Sequence, residues 1–380
     1  MKALVTGGAG LIGSHIVDLL LESGYDVRIL DNLEPCTHME GKPEWVPDDA
    51  EFMLGDMRNI DDVERALTGV DVVFHQAAYG GFAPELTKMT DVNACGTARI
   101  FEVIRTRRLN IQKIVTASSQ AVYGEGRYEC PNCGLCDPAP RLVPQFEKGE
   151  WEVKCPTCSS PMHGAPVPEE APLKFTSLYA LSKYFEERLT LALGQEWGIP
   201  SVALRYSLTY GPRQSLFNPY TGICSIFSTR LLNSLPPCIY EDGRQTRDFV
   251  FVKDVARANL MVMESPEANY RVFNVGTGVG TAVMDFACML RDAYQAKVHP
   301  ITPGEFRPMD CRHLMADNSK IKALGWAPKF TVREGIQEYA DWILSKPHPS
   351  EYFSKAEETL KAIRIVRSMP ERSVAASAAD

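Results

Sequence analysis

The sequence predicts an α/β protein built on a doubly wound parallel sheet, with a smaller C-terminal lobe and one inserted loop. Three observations carry this. Short apolar runs alternate with amphipathic stretches from residue 1 to about 120, and a glycine-rich turn joins the first run to the first amphipathic stretch. The alternation then breaks over residues 125–172, a segment rich in Pro, Gly and Cys, and resumes after it. Short buried strands separated by helices imply βαβ units and a sheet covered on both faces.

In chain order, 3–5 reads as the first strand, 12–22 as a helix and 27–30 as the second strand. A third strand ends before Gly55, and 70–74 and 111–117 supply two more. After the insertion come a helix over 178–197 and a strand over 201–206, followed by a less regular region punctuated by Gly and Pro. The expected organisation is a sheet domain from 1–124 and 173–210, an insertion at 125–172, and a lobe mainly for substrate at 211–345. A C-terminal extension at 346–380 has small and polar residues after about Met369, so its end is expected to be disordered.

The 380 residues, 45% hydrophobic, suffice for a large core. A net charge of -8 argues against nucleic acid or an anionic membrane as partner, because both need a surplus of Lys and Arg. No apolar run approaches the roughly 20 residues that span a bilayer. The N-terminus leads straight into a strand without a cleavable leader, so the expected location is cytoplasmic. In that setting the 11 cysteines are expected to be thiols or metal ligands.

The turn reads Thr6-Gly7-Gly8-Ala9-Gly10-Leu11-Ile12-Gly13. Gly7 permits the tight turn, Gly10 lets the backbone approach a pyrophosphate, and Gly13 allows close helix packing. The amides of Leu11 and Ile12 open the helix, whose N-terminus attracts an anion. Asp31 ends the next strand about 20 residues on, where a carboxylate accepts hydrogen bonds from an adenosine ribose and repels a 2′-phosphate. The Rossmann-type site therefore favours NAD over NADP. Asn32 adds no compensating base, and Asp56, beside Met57 after the third strand, is a candidate adenine contact.

Ser119 closes the strand 111–117, while Tyr179 and Lys183 stand four apart on one face of a helix. A nearby ammonium and a cationic nicotinamide ring favour a phenolate, so Tyr179 is the candidate base. Ser119 is placed to hydrogen-bond the reacting hydroxyl, and Lys183 to hold the nicotinamide ribose.

These motifs, with His75-Gln76-Ala77-Ala78, Asn93-Ala94-Cys95-Gly96-Thr97 and Ser118-Ser119-Gln120-Ala121-Val122-Tyr123-Gly124, resemble the extended short-chain dehydrogenases that modify nucleotide sugars. The resemblance covers about residues 1–345 apart from the insertion. It implies a nucleotide-sugar substrate and cofactor contacts from Ala77, Ala78 and Asn93. Ser119, Gln120, Tyr179, Arg247 and Arg307 would contact substrate, the two arginines clamping its diphosphate. It also implies a homodimer formed through two helices per subunit.

Relatives that dehydrate or decarboxylate the sugar carry acidic residues just before the Val-Tyr-Gly; this chain has Gln120-Ala121. Without an acid there, proton transfer beyond C4 lacks an agent. A 4-epimerase acting on a UDP- or dTDP-hexose through a transient 4-keto sugar, with NAD recycled, is the expected activity. A nucleotide-sugar 4-ketoreductase consuming free coenzyme is the alternative, and a non-catalytic binding protein the third reading. One departure stands out: Arg205-Tyr206-Ser207-Leu208 replaces a family Arg-Tyr-Phe-Asn. Leu208 cannot donate the hydrogen bond that the asparagine gives to substrate phosphate. Phe251 takes a place often held by His or Tyr, and a packing role is expected for it.

Within the insertion lie Cys130-Pro131-Asn132-Cys133 and Cys155-Pro156-Thr157-Cys158. Two such knuckles approach a zinc-ribbon signature, with a closed four-thiolate shell that marks a structural ion. Cys136 and His163 are spare candidates. Large apolar residues other than Phe146 and Trp151 are scarce there, so metal binding would supply the folding energy. Cys36, Cys95, Cys224, Cys238, Cys288 and Cys311 are expected to be buried small hydrophobes.

Overall fold

The computed structural model describes residues 1–80, 85–218, 220, 222–347 and 349–370. Residues 371–380, on which the expected terminal disorder falls, lie outside the described residues. Among those described, seven parallel strands form the central sheet. They are β1 (Lys2–Thr6), β2 (Asp26–Asp31), β3 (Glu51–Leu54), β4 (Val72–His75), β5 (Lys113–Ser119), β6 (Ser201–Tyr206) and β7 (Arg271–Val275). Their spatial order is β7-β6-β5-β4-β1-β2-β3. The chain therefore reverses direction across the sheet between β1 and β4, and a crevice at the carboxyl ends is the usual consequence.

Strand periodicity sorts the core. Ala3 and Val5 of β1 face a layer containing Ile16, Val17 and Leu20 of α1 (Leu11–Glu22), while Leu4 between them faces Ile100, Phe101 and Ile104 on the opposite side. That second layer holds α2 (Ile60–Leu67) and α3 (Gly96–Arg107), with α4 (Leu178–Trp197) alongside α3; the first holds α1 and α5 (Val252–Glu264). Helix α4 starts at Ser177, whose hydroxyl accepts from the Ala180 amide, and stops at Gly198, which takes the left-handed conformation at φ 69°.

The boundary expected at 210 is not where the sheet ends. Helix α5 and strand β7 return to it, because their apolar faces, including Val255, Val262, Phe273 and Val275, complete the α1 layer. The lobe is built from Leu208–Tyr210, Thr246–Phe251 and Gly280–Ala282, covered by helices Ile223–Leu232, Val283–Ala293 and Val332–Leu344. Phe249 stacks on Phe286 with centroids 3.9 Å apart. Phe251 is buried against Tyr210 and Phe330, a packing role as expected. The extension folds back: Arg367–Ser368 pairs antiparallel with Glu305–Phe306.

The insertion forms a three-stranded antiparallel sheet from Arg127–Cys130, Gly134–Cys136 and His163–Ala165. Tyr128, Val153 and Met162 make its small core with Cys130 and Cys155. Phe146 and Trp151 do not stay within it; Phe146 stacks on Phe306 of the lobe at 5.1 Å and docks the module there. The expectation for the scattered cysteines needs correction, since only Cys224 of the six is buried and Cys95 is exposed. Cys95 ends the π-helical turn Asp91–Cys95, and that placement turns its side chain outward. No described helix is long and apolar enough to cross a membrane.

Candidate active site

A cleft of about 680 Å³ runs over the carboxyl ends of β1, β4 and β5 and continues under the lobe. Its floor is the glycine turn. Gly7 has φ 68°, and a Cβ there would sit 2.9 Å from the Ala77 backbone; one on Gly13 would sit 2.2 Å from the Gly7 carbonyl oxygen. Only glycine fits either position. Gly10 differs, because a Cβ there meets nothing nearer than that same carbonyl at 3.4 Å and would point into the cleft. Helix α1 has no side-chain cap and no acidic residue in its first turn, so its leading amides, from Leu11, Ile12 and Gly13, remain suited to an anionic ligand.

Asp31 fixes this turn from β2. Its Oδ2 accepts from the Ala9 amide at 3.0 Å and its Oδ1 from the Leu33 amide at 2.9 Å. Asn32 donates to Asp56 at 2.9 Å, and Arg58 pairs with the same carboxylate at 2.7 Å. Those hydrogen bonds from Arg58, with a further one from Asn32, hold the Asp56 carboxyl far below the usual range despite partial burial.

Behind the wall, Thr97 donates to the Asn93 carbonyl at 2.6 Å, so towards His75 it accepts from Nε2. Nδ1 is then the acceptor for Thr6, whose oxygen receives the amides of Gln76 and Ala77. Burial and the nearby Lys183 charge depress His75 to about 3, which keeps it neutral and keeps this tautomer. The chain of bonds fixes the Ala77-Ala78 strand end that lines the cleft.

Period-two alternation at the end of β5 separates the two serines. Ser118 donates to Glu187 at 2.7 Å, and Glu187 also accepts from Nε and Nη2 of Arg205. Ser119 faces the cleft and caps the following turn through the Ala121 amide. Tyr179 stands in the first turn of α4 with its ring against Gly80, where a Cβ would lie 2.9 Å from the ring. No motif marks Gly80 in the chain; only its closeness to the phenol does.

Of the expected cofactor residues, Gly7, Gly10, Leu11, Ile12, Gly13, Asp31, Asn32, Asp56, Met57, Ala77, Ala78 and Tyr179 line the cleft, as do Ser119, Gln120, Arg247 and Arg307. Two do not. Asn93 is fully buried behind the wall, clamping Tyr79 through both its amide and carbonyl and donating to Ser182. Lys183 lies beneath the cleft with its ammonium on Glu186 at 2.6 Å. Arg247 and Arg307 converge on opposite oxygens of Asp310, at 3.0 and 2.9 Å.

The cleft also holds side-chain oxygens without hydrogen-bond partners among the described residues: Oε1 of Gln120, Gln214 and Gln245, and Oγ of Ser207. Buried polar atoms left unmatched are costly, and a polar ligand with several hydroxyl groups would satisfy them. In the insertion, the sulfurs of Cys130, Cys133, Cys155 and Cys158 lie within 4.8 Å of one another. Cys136 contacts Met162 instead, and His163 is exposed and outside this cluster.

Comparison with known proteins agrees with this geometry. Residues 3–140 match the NAD dependent epimerase/dehydratase family and 156–339 match GDP-mannose 4,6 dehydratase. The dTDP-L-rhamnose 4-epimerase of Burkholderia thailandensis is 33% identical over 349 residues, covering 90% of this chain and 94% of that protein. The chain belongs to the NAD dependent epimerase/dehydratase family. Solved structures of the family superpose on it: the UDP-glucose 4-epimerase of Thermotoga maritima with UDP-glucose has a TM-score of 0.74 at 30% identity, covering 91% of this chain and 99% of that one. The UDP-glucose 4-epimerase of Thermus thermophilus complexed with NAD gives 0.69 at 32%, covering 90% and 98%. For an epimerase/dehydratase family member, the Gly7–Gly13 turn and the Ser119-Tyr179 pair are the places where cofactor and sugar chemistry would meet.

Proposed function

We propose that this protein is an NAD-dependent nucleotide-sugar 4-epimerase acting on a UDP- or dTDP-hexose. The observation that carries it is one cleft lined both by Ser119 and Tyr179 and by a glycine turn whose open side at Gly10 leaves room for a dinucleotide. NAD would be held by Gly7, Gly10 and Gly13, the first amides of α1 and Asp31, and it supplies the acceptor for hydrogen at the sugar C4. Tyr179 takes the C4 hydroxyl proton and returns it. Ser119 hydrogen-bonds the same oxygen through the 4-keto stage, and Gln120 offers an acceptor to a neighbouring hydroxyl. Arg247 and Arg307 hold the diphosphate, so the freed sugar can turn and present its other face.

Leu208 leaves one phosphate donor of the resemblance unfilled, and the unmatched Ser207 hydroxyl, which also lines the cleft, is a donor available to the substrate. The four cysteines would hold a structural zinc ion: their sulfurs lie within 4.8 Å of one another, and four thiolates leave no open position for chemistry. Leu181 and Phe185, four apart and exposed on α4, give an apolar strip for a homodimer.

Incubation with UDP- and dTDP-hexoses, followed by NMR, should show inversion at C4 without added coenzyme. Tyr179→Phe should lower the rate by about 10²–10⁴-fold while the protein still carries NAD. Undiminished turnover by that variant, or a requirement for stoichiometric coenzyme, would overturn the reading.

A further inference from the structure

The segment from Asp310 to His313 lies between the cysteine module and the two cleft arginines. From the module, Arg141 grips Glu241 with both arms at 2.9 and 3.0 Å and donates to the Asp310 carbonyl at 2.8 Å. Glu125 accepts the Arg312 amide at 2.6 Å, and the Tyr128 hydroxyl accepts the His313 amide at 2.9 Å. Glu152 takes the Arg312 guanidinium at 2.6 Å and the His313 ring at 3.2 Å. Two of these residues are tied directly to the cysteines. Tyr128 stands two before Cys130 on one strand, hence on one face, and Glu152 stands three before Cys155.

From the cleft side, the Arg312 carbonyl accepts the Thr246 amide at 3.1 Å and Arg247 Nη1 at 3.2 Å. The Asp310 carboxylate then receives Arg247 and Arg307 on its two oxygens. The segment is thus held by the module on one side and by the arginines on the other, with Glu241, Asp242 and Thr246 of the lobe completing its polar contacts. Arg312 itself is fully buried, so its position cannot drift without leaving a charge unmatched.

We propose that the metal-loaded cysteine module positions the diphosphate-binding arginines, with Glu152 and Arg141 as positioning residues, so that affinity for the nucleoside diphosphate depends on metal although the metal lies outside the cleft. This rests on two parts of the proposed function, the zinc cluster and the arginine clamp. It predicts a division of effects. Metal loss and changes at Glu152 weaken the diphosphate end, whereas the glycine turn, which makes none of these contacts, keeps its NAD.

The test uses the full chain, zinc-loaded or stripped by a chelator, with UDP as probe in calorimetric titration and bound NAD and zinc measured in parallel. Glu152→Gln, at a half-exposed site, tests the same link with zinc in place. Stripping zinc and Glu152→Gln should each weaken UDP binding by about tenfold or more, with NAD content within about twofold of the wild type, and their effects should not add, because both act through Arg312. For the epimerisation itself, Glu152→Gln should raise KM with kcat little changed.

UDP affinity indifferent to both changes overturns this inference and leaves the clamp intact. If loaded wild-type protein binds no UDP, the arginine reading fails and the inference with it. Protein that binds UDP but takes up no zinc overturns the metal link. Should stripping unfold the chain, Glu152→Gln decides alone: unchanged UDP affinity overturns the inference.

Discussion

The ammonium of Lys183 donates to Oε2 of Glu186 at 2.6 Å, one helical turn apart, and neither side chain reaches solvent. Thr116 donates to the other Glu186 oxygen at 2.8 Å, so the carboxylate is held from β5 as well as from α4. Burial raises the Glu186 carboxyl and Lys183 opposes that rise. Removing one partner strands a charge beneath the cleft. Glu186→Leu should therefore cost about 3–5 kcal/mol in chemical denaturation, whereas Lys183→Met with Glu186→Leu should recover most of that stability and none of the activity. A single variant as stable as the wild type would show that the pair does not hold the cleft floor.

The glycine turn makes a second, sharper contrast. A methyl on Gly13 would sit 2.2 Å from the Gly7 carbonyl and force backbone to move, but one on Gly10 would meet it at 3.4 Å and otherwise occupy the cleft. Gly13→Ala should lose both stability and NAD. Gly10→Ala should change stability by less than about 1 kcal/mol, the usual scale for such a helix-cap change, while NAD affinity drops by about tenfold or more. Equal losses of NAD and stability at Gly10 would mean that its open side is not the cofactor side.

These local facts explain what was legible in the sequence. Apolar period and glycine spacing report backbone geometry, so β1, β2, β6, α4 and the turn between β1 and α1 are legible within two residues of their bounds. Side-chain pairing across long separations leaves no period. The partners that hold Asn93 and Lys183, namely Tyr79 and Glu186, leave no mark in the spacing. The return of α5 and β7 to the sheet was hidden for the same reason: their apolar faces could equally have served the lobe. The cysteine spacing announced a knuckle, yet nothing in it pointed to Arg312, whose amide and guanidinium the module holds from 160 and 187 residues away.

Glu152 gives this link a pH signature. Burial pushes its carboxyl up, but hydrogen bonds from His313 and Arg312 outweigh that and hold it at about 2. A carboxyl lowered in the folded state contributes stability that is complete above the unfolded value, about 4.3, and is lost as pH falls towards the folded one. Wild-type protein should therefore be more stable than Glu152→Gln at pH 6, and the two melting temperatures should converge between about pH 4.5 and 2. Metal release in acid is common to both and drops out of the difference. A gap that stays constant through this window would place the stabilisation elsewhere than in the ionised carboxylate.

Glu241 sets backbone strain against charge. It adopts φ 57°, a left-handed conformation that costs a non-glycine residue about 1–2 kcal/mol, so Glu241→Gly would relieve strain at that residue. Its carboxylate, however, takes both arms of Arg141 and one of Arg312, and all three side chains are buried. After the substitution Arg141 retains the carbonyls of Trp151 and Asp310 and a longer ion pair to Glu125 at 3.7 Å, but loses its two short bonds to a carboxylate. Breaking a buried pair costs about 3–5 kcal/mol, and with Glu125 still nearby the lower end applies, which exceeds the strain relieved. Glu241→Gly should thus be destabilised by about 2 kcal/mol in denaturant titration, and Glu241→Gln, which keeps the strained backbone and loses the charge, by more. If the glycine variant proved more stable than the wild type, strain would be the larger quantity and the Arg141–Glu241 pair would not be what fastens the module to the lobe.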